Sequence, residues 1–174
     1  ILGGGGITES LVRLLTPFHV RISVVRRSGA PMAGVDRVVG PGGLADLLPA
    51  TDLLVLALAL TPETEGIIGA VELAALPETA WLVNVARGRH VRTAALVEAL
   101  AEGSIGGAGL DVVDPEPLPE GHPLWTEPRC LLTPHVGNTP RMAVPLLSAR
   151  ITENVRRFGA GEPLLGLVDP DAGY

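Results

Sequence analysis

The 174-residue sequence predicts an α/β protein built on a parallel sheet that helices cover on both faces. Apolar runs such as "LLVLALAL" and "AWLVNVA" are continuous instead of alternating, as in strands buried on both sides. They alternate with stretches of helical periodicity such as "TAALVEALAEG", the mark of βαβ units. The runs also end in polar or turn residues, where open α/β sheets gather their ligands. At 47% hydrophobic residues the chain can bury a single core, and with only 3% aromatics that core must consist of Ala, Val and Leu.

Element by element, Ile7, Leu11, Leu14 and Leu15 recur at helical spacing, and Pro17 stops the helix before the β-branched "VRISVVRR". A short "RVVG" strand, a helical "GGLADLLPAT" and a strand from Leu53 to Leu60 follow, the last bounded by Asp52 and Thr61-Pro62. "AVELAAL" reads as a helix, "AWLVNVA" as a strand, and "TAALVEALAEG" as a helix closed by Gly103. "IGGAGLDVV" and "RCLLTPH" read as two more strands. From about Pro140 one long helix carries Leu147, Ile151, Val155 and Phe158 on a face and Arg156 and Arg157 in its last turn, with Gly159 as its stop. A tail, "EPLLGLVDPDAGY", follows.

The net charge of −6 gives no electrostatic reason to bind nucleic acid or an anionic membrane. The longest apolar run is too short to span a bilayer, so a soluble, cytoplasmic protein is expected. The single cysteine, Cys130, excludes an internal disulfide and reads as a small hydrophobe in a strand. No metal site is assigned.

Gly3, Gly5 and Thr8 occupy the three glycine positions of G-x-G-x-x-G between a strand and a helix, where backbone amides and the helix N-terminus hold a pyrophosphate. Gly6 and Ile7, which open the helix, join them as cofactor-binding positions. Threonine at the third position predicts a helix slightly further from the strand than glycine would allow. This is a Rossmann-type arrangement, and its central strand needs more apolar residues than Ile1-Leu2, so a preceding segment is expected. The acidic residue that binds the adenosine ribose should end the second strand, yet Arg26 stands there, followed by Arg27. Two guanidiniums suit a 2′-phosphate, so NADP(H) is the preferred cofactor and NAD(H) the second choice. The alternative is that Arg26 and Arg27 are solvated loop residues and either cofactor binds.

Three further side chains sit at run ends: Arg87 in "LVNVARG", Glu116 in "GLDVVDPEPLP" and His135 in "LLTPHVG". Hydride delivery to a ketone leaves charge developing on oxygen, which a histidinium neutralises by general-acid transfer, typically worth about 10²–10⁴-fold. His135 is that acid, Glu116 the carboxylate that orients the ring and favours its charged form, and Arg87 a planar fork for a substrate carboxylate. Each residue alone also fits an ordinary structural role.

"GGGGIT", "LTPETEGIIG", "LVNVARG", "GAGLDVVDPEPLPEGHPLW" and "LLTPHVG", in this order, resemble the cofactor domain of the D-isomer-specific 2-hydroxyacid dehydrogenases. The likeness extends over nearly the whole chain, and "DPEPLPEGHPL" is similar to the glyoxylate/hydroxypyruvate reductase branch. It implies that Arg87 binds the 2-oxo acid carboxylate, that His135 protonates the carbonyl, and that Glu116 pairs with His135. It further implies that Asp111 hydrogen-bonds the nicotinamide carboxamide and that the backbone at Ala59, Val85, Ala86 and Gly137 lines the cofactor. Arg89, His90 and Arg92 depart from the family pattern, and His90 is expected to be a loop residue. His19 and His122 are assigned no role.

The resemblance implies residues 1–139 as the dinucleotide-binding domain and 140–174 as a helix and tail contacting a substrate domain whose N-terminal segment is absent. It implies a homodimer for the full-length protein and inactivity for this segment alone. Small 2-oxo and 2-hydroxy acids are the expected substrates. A dinucleotide-sensing, corepressor-like interaction protein without turnover is the alternative, because the same fold serves both purposes.

Overall fold

The computed structural model describes residues 1–170 and divides into two compact units, Ile1–Pro134 and His135–Tyr174. The first unit holds the sheet. Its elements are α1 (Gly6–Leu15), β1 (Ser23–Val25), β2 (Arg37–Val39), α2 (Leu44–Leu47), β3 (Leu53–Leu56), α3 (Ala70–Ala74), β4 (Trp81–Asn84), α4 (Thr93–Glu102), β5 (Gly107–Leu110) and β6 (Cys130–Leu132). Every strand pairing is parallel: β1 with β2, and β3 through β6 in sequence order. Leu2 joins the two ladders through parallel bridges to Val25 and Leu56, so it holds the central position of the sheet.

The core is aliphatic, as the composition requires. Leu2, Leu56, Leu82, Leu96, Leu100, Ile105 and Ala108 are almost fully buried. In β5 Gly107 leaves room for an indole: Trp81 pairs with it in register, and a Cβ there would lie 2.6 Å from the ring. Cys130 is half-buried in β6, and burial, with Glu127 nearby, pushes its thiol up to about 11. Thiolate is the reactive form, so the shift predicts alkylation by iodoacetamide at pH 8 about 100-fold slower than for a free thiol. A rate equal to free cysteine would show that the burial is not maintained in solution.

Two expectations for this unit need correction. The third strand ends at Leu56 instead of Leu60, because the carbonyls beyond it are taken by side chains: Leu58 faces a His90 ring nitrogen and Ala59 accepts from the Thr64 hydroxyl. His90 is not the loop residue expected from the sequence. It ends a 3₁₀ turn (Gly88–His90), is fully buried, and sets Nδ1 3.0 Å from the Thr64 carbonyl and Nε2 3.3 Å from the Leu58 carbonyl.

The second unit is built on α5 (Pro140–Ala160). The helix runs through Gly159 and stops at Gly161, whose left-handed backbone (φ 69°) lets its N–H reach the carbonyls of Arg157 and Phe158. The expected stop was two residues early, because glycine fixes a helix end only where the backbone turns left-handed. Glu153 is gripped by Arg156 and Arg157, whose hydrogen bonds hold its carboxyl down to about 2. No residue of α5 is buried within the chain, and Met142, Leu146, Ile151, Val155 and Phe158 are all exposed. Among the described residues no helix is long and apolar enough to cross a membrane.

Candidate active site

The glycine turn forms between Leu2 and α1. Gly3 has φ +103°, and a Cβ on it would lie 2.1 Å from the Ala57 carbonyl oxygen, so the turn needs glycine for both conformation and space. Gly5 and Gly6 face open space, and Gly5 caps α1 with no side-chain hydrogen bond, leaving first-turn N–H groups available to an anion. These features fit a dinucleotide pyrophosphate. Ile7, next along, is exposed. At the third glycine position Thr8 is fully buried, and its hydroxyl donates to the Gly3 carbonyl at 2.9 Å, bracing the turn.

Arg26 follows β1, and its side chain crosses the glycine turn, with Cδ and Nε 3.0 Å from where a Gly4 Cβ would be. Arg27 is exposed, and its charge acts on Glu63. The carboxyl of Glu63 is held below the usual range first by the Thr61 hydroxyl, then by its own N–H and by Arg27. No carboxylate ends β1, which is followed directly by the two guanidiniums of Arg26 and Arg27.

At the carboxyl end of β4, Arg87 is exposed and extended (φ −144°, ψ 145°), and its Nη1 donates to the Ala86 carbonyl at 2.6 Å. Val85 and Ala86 connect it to the strand, Val85 exposed and Ala86 buried. Gly88 then packs so closely on the loop after β5 that a Cβ would meet the Val113 carbonyl. Thr93 ties the start of α4 to the same loop by donating to the Asp114 carbonyl at 2.6 Å. The Arg87 turn and the loop bearing Glu116 are thereby in direct contact. Glu116 is exposed, with Oε2 3.4 Å from the Val113 N–H.

Asp111 begins the loop after β5, where its N–H donates to the Asn84 carbonyl and its Oδ1 accepts from the Thr133 hydroxyl at 2.6 Å. Ala59 lies in the loop after β3, its carbonyl held by Thr64. Arg89 pairs with Glu65 at 2.6 Å, clasping that loop to the turn after Arg87. His135 opens the second unit with a left-handed backbone (φ 54°) and an exposed ring, and Gly137 follows it. The first unit therefore brings together Arg87, Asp111 and Glu116 on neighbouring strand ends, while His135 and Gly137 belong to the other unit. His19 is an exposed left-handed turn residue, and His122 caps a short turn through Nδ1.

Two residues of this constellation escaped the sequence reading. Asn84 is 1% exposed, and its side chain bridges the Ala86 N–H and the Arg87 carbonyl. Thr133 holds Asp111. The signal for Asn84 was a lone amide inside the apolar run "LVNVA"; a hydroxyl beside "PH" gave no comparable sign for Thr133.

Residues 1–137 match the model of the D-isomer specific 2-hydroxyacid dehydrogenase NAD binding domain. Glyoxylate/hydroxypyruvate reductase A of Klebsiella pneumoniae strain 342 is 37% identical over the whole chain, which covers 55% of that protein. A crystal structure of a D-isomer specific 2-hydroxyacid dehydrogenase from Xanthobacter autotrophicus Py2, in complex with NADPH and MES, superposes with a TM-score of 0.89 at 40% identity, over 99% of this chain and 71% of that one. The NADPH-dependent glyoxylate/hydroxypyruvate reductase of Sinorhizobium meliloti, in complex with NADP and sulfate, gives 0.91 at 33% identity, over 99% and 55%. The chain spans about half the length of the curated relatives it matches. With residues 1–137, well over half of the chain, matching its model, the chain belongs to the D-isomer specific 2-hydroxyacid dehydrogenase family, and those residues are its NAD binding domain.

Proposed function

We propose that the protein carrying this chain is an NADPH-dependent reductase of small 2-oxo acids, with glyoxylate and hydroxypyruvate as leading substrates. The observation that carries the reading is the contact between the Arg87 turn and the Glu116 loop at the carboxyl ends of β4 and β5 in a family cofactor domain. The named relatives that reduce glyoxylate and hydroxypyruvate, and the NADPH and NADP in the solved neighbours, support the choice of substrate and cofactor.

When bound, NADPH supplies the hydride. Gly3, Gly5, Gly6 and Ile7 line its pyrophosphate, with Arg26 and Arg27 at the 2′-phosphate. Ala59, Val85, Ala86 and Gly137 offer backbone along its length, and Asp111 orients the carboxamide. Arg87 grips the substrate carboxylate with its planar fork. Glu116 orients the His135 imidazolium, and His135 delivers the proton to the carbonyl oxygen as charge develops there. Residues 140–174 contact a substrate domain through the exposed apolar side chains of α5. The full-length protein is a cytoplasmic homodimer whose reaction takes place in a closed, water-excluding cleft.

The test is steady-state reduction of glyoxylate and hydroxypyruvate by the full-length protein with each nicotinamide cofactor. The expected kcat/KM is at least about tenfold higher with NADPH than with NADH, and Arg26→Ala combined with Arg27→Ala should erase the difference. A preference for NADH would overturn the cofactor assignment. Tight NADPH binding with no turnover of any 2-oxo acid would favour the dinucleotide sensor instead.

A further inference from the structure

We infer that Asn84 is a positioning residue that fixes the Arg87 guanidinium, and so decides how tightly a 2-oxo acid carboxylate is held; the inference rests on the reading of Arg87 given above. Asn84 closes β4 and is 1% exposed. Its Oδ1 accepts from the Ala86 N–H at 3.0 Å and its Nδ2 donates to the Arg87 carbonyl at 2.9 Å. The reversed amide would set donor against donor and acceptor against acceptor, so the pattern fixes its orientation.

The side chain therefore grips the peptide entering Ala86 and the peptide leaving Arg87. Between them, the Ala86 carbonyl takes the Arg87 Nη1. Three consecutive peptides are thus tied into one frame, and Gly88 fixes its far side against Val113 and Asp114. An exposed arginine on a strand end would otherwise sample many rotamers, and ordering it on binding would cost affinity. Asn84 also anchors the neighbouring position, but through its backbone: its carbonyl accepts from the Asp111 N–H. Side-chain substitution at residue 84 should disturb the carboxylate site most, because the cofactor side meets that side chain only through the Ala86 N–H, and the Ala86 carbonyl stays held by Arg87.

Asn84→Ser shortens the amide beside a cavity of about 10 Å³ lined by Gly88, Thr93 and Asp114. Asn84→Asp keeps the volume and the acceptor for Ala86, but turns a carboxylate oxygen toward the Arg87 carbonyl. Both are to be compared with wild type and Arg87→Ala in the full-length protein, measuring Kd for oxamate on the NADPH-saturated protein, Kd for NADPH, and KM and kcat for glyoxylate. Each Asn84 variant is expected to weaken oxamate and raise KM about tenfold, with NADPH affinity within about twofold of wild type. In the Arg87→Ala background Asn84→Ser should add less than about twofold.

Oxamate binding unchanged by Asn84→Ser and Asn84→Asp, or weakened to the same extent as NADPH binding, would overturn the inference. So would full additivity with Arg87→Ala. If Arg87→Ala itself leaves oxamate binding intact, the carboxylate assignment of Arg87 fails, and the positioning role falls with it for a separately identified reason. Should Asn84→Ser not fold, Asn84→Asp and its combination with Arg87→Ala carry the same comparison.

Discussion

Replacing Gly3 by alanine is expected to abolish dinucleotide binding and to lower Tm by about 10 °C. Two independent costs add at this position. A side chain at φ +103° is strained, and its Cβ would lie 2.1 Å from the Ala57 carbonyl, a backbone atom that cannot rotate away. Backbone strain and overpacking of this kind each cost about 1–3 kcal/mol, and for a domain of this size each kcal/mol lowers Tm by about 2–4 °C. The movement needed to relieve the contact would separate the glycine turn from the loop after β3, the two segments between which the cofactor is proposed to lie. Gly5→Ala is the control, because nothing lies within 4 Å of its Cβ. It should fold normally, so equal Tm losses in the two variants would refute the steric explanation.

Arg87→Ala is expected to reduce kcat/KM for glyoxylate by about 10³-fold while leaving the Kd for NADPH within about twofold. Among the described residues the guanidinium makes one short hydrogen bond, to the Ala86 carbonyl, and Arg87 is exposed at the strand end. Its loss should therefore cost little stability. Two charge-assisted hydrogen bonds to a carboxylate are together worth about 4 kcal/mol, which sets the size of the loss. Arg87→Lys keeps the charge but not the planar fork and should recover only part of it. A Tm drop as large as that of Gly3→Ala would instead assign Arg87 a structural role.

The parallel architecture was legible because buried strands leave continuous apolar runs, and the glycine turn because its positions are fixed by sterics. Strand ends were less legible. Leu53 through Leu60 look alike in sequence, yet the strand stops where His90 and Thr64 take over the carbonyls, and His90 lies 32 residues beyond the Leu58 it meets. The same non-local bonding hid His90, which composition alone places in a loop. Gly159 and Gly161 are indistinguishable as letters and differ only in the backbone they adopt.

For the site, Arg87 and Glu116 were picked out by residue type and Asp111 through the family resemblance; in the structure Arg87 follows β4, and Asp111 and Glu116 lie in the loop after the neighbouring β5. The groups that hold them were not found by that means. Asn84 and Thr133 act through hydrogen bonds to a backbone and to a carboxylate, and such roles follow from geometry instead of chemical type. Thr8 shows how a departure from a pattern can be accommodated: its hydroxyl donates a hydrogen bond to the carbonyl of Gly3, the first glycine of that same pattern.

The most direct test is single-turnover oxidation of bound NADPH by glyoxylate in the full-length protein and in its Glu116→Gln and His135→Ala variants. If the imidazolium supplies the proton and the carboxylate orients it, both variants should bind NADPH as wild type does, with the chemical step slowed about 10²–10⁴-fold in His135→Ala and less in Glu116→Gln. Wild-type rates in both variants would contradict the account.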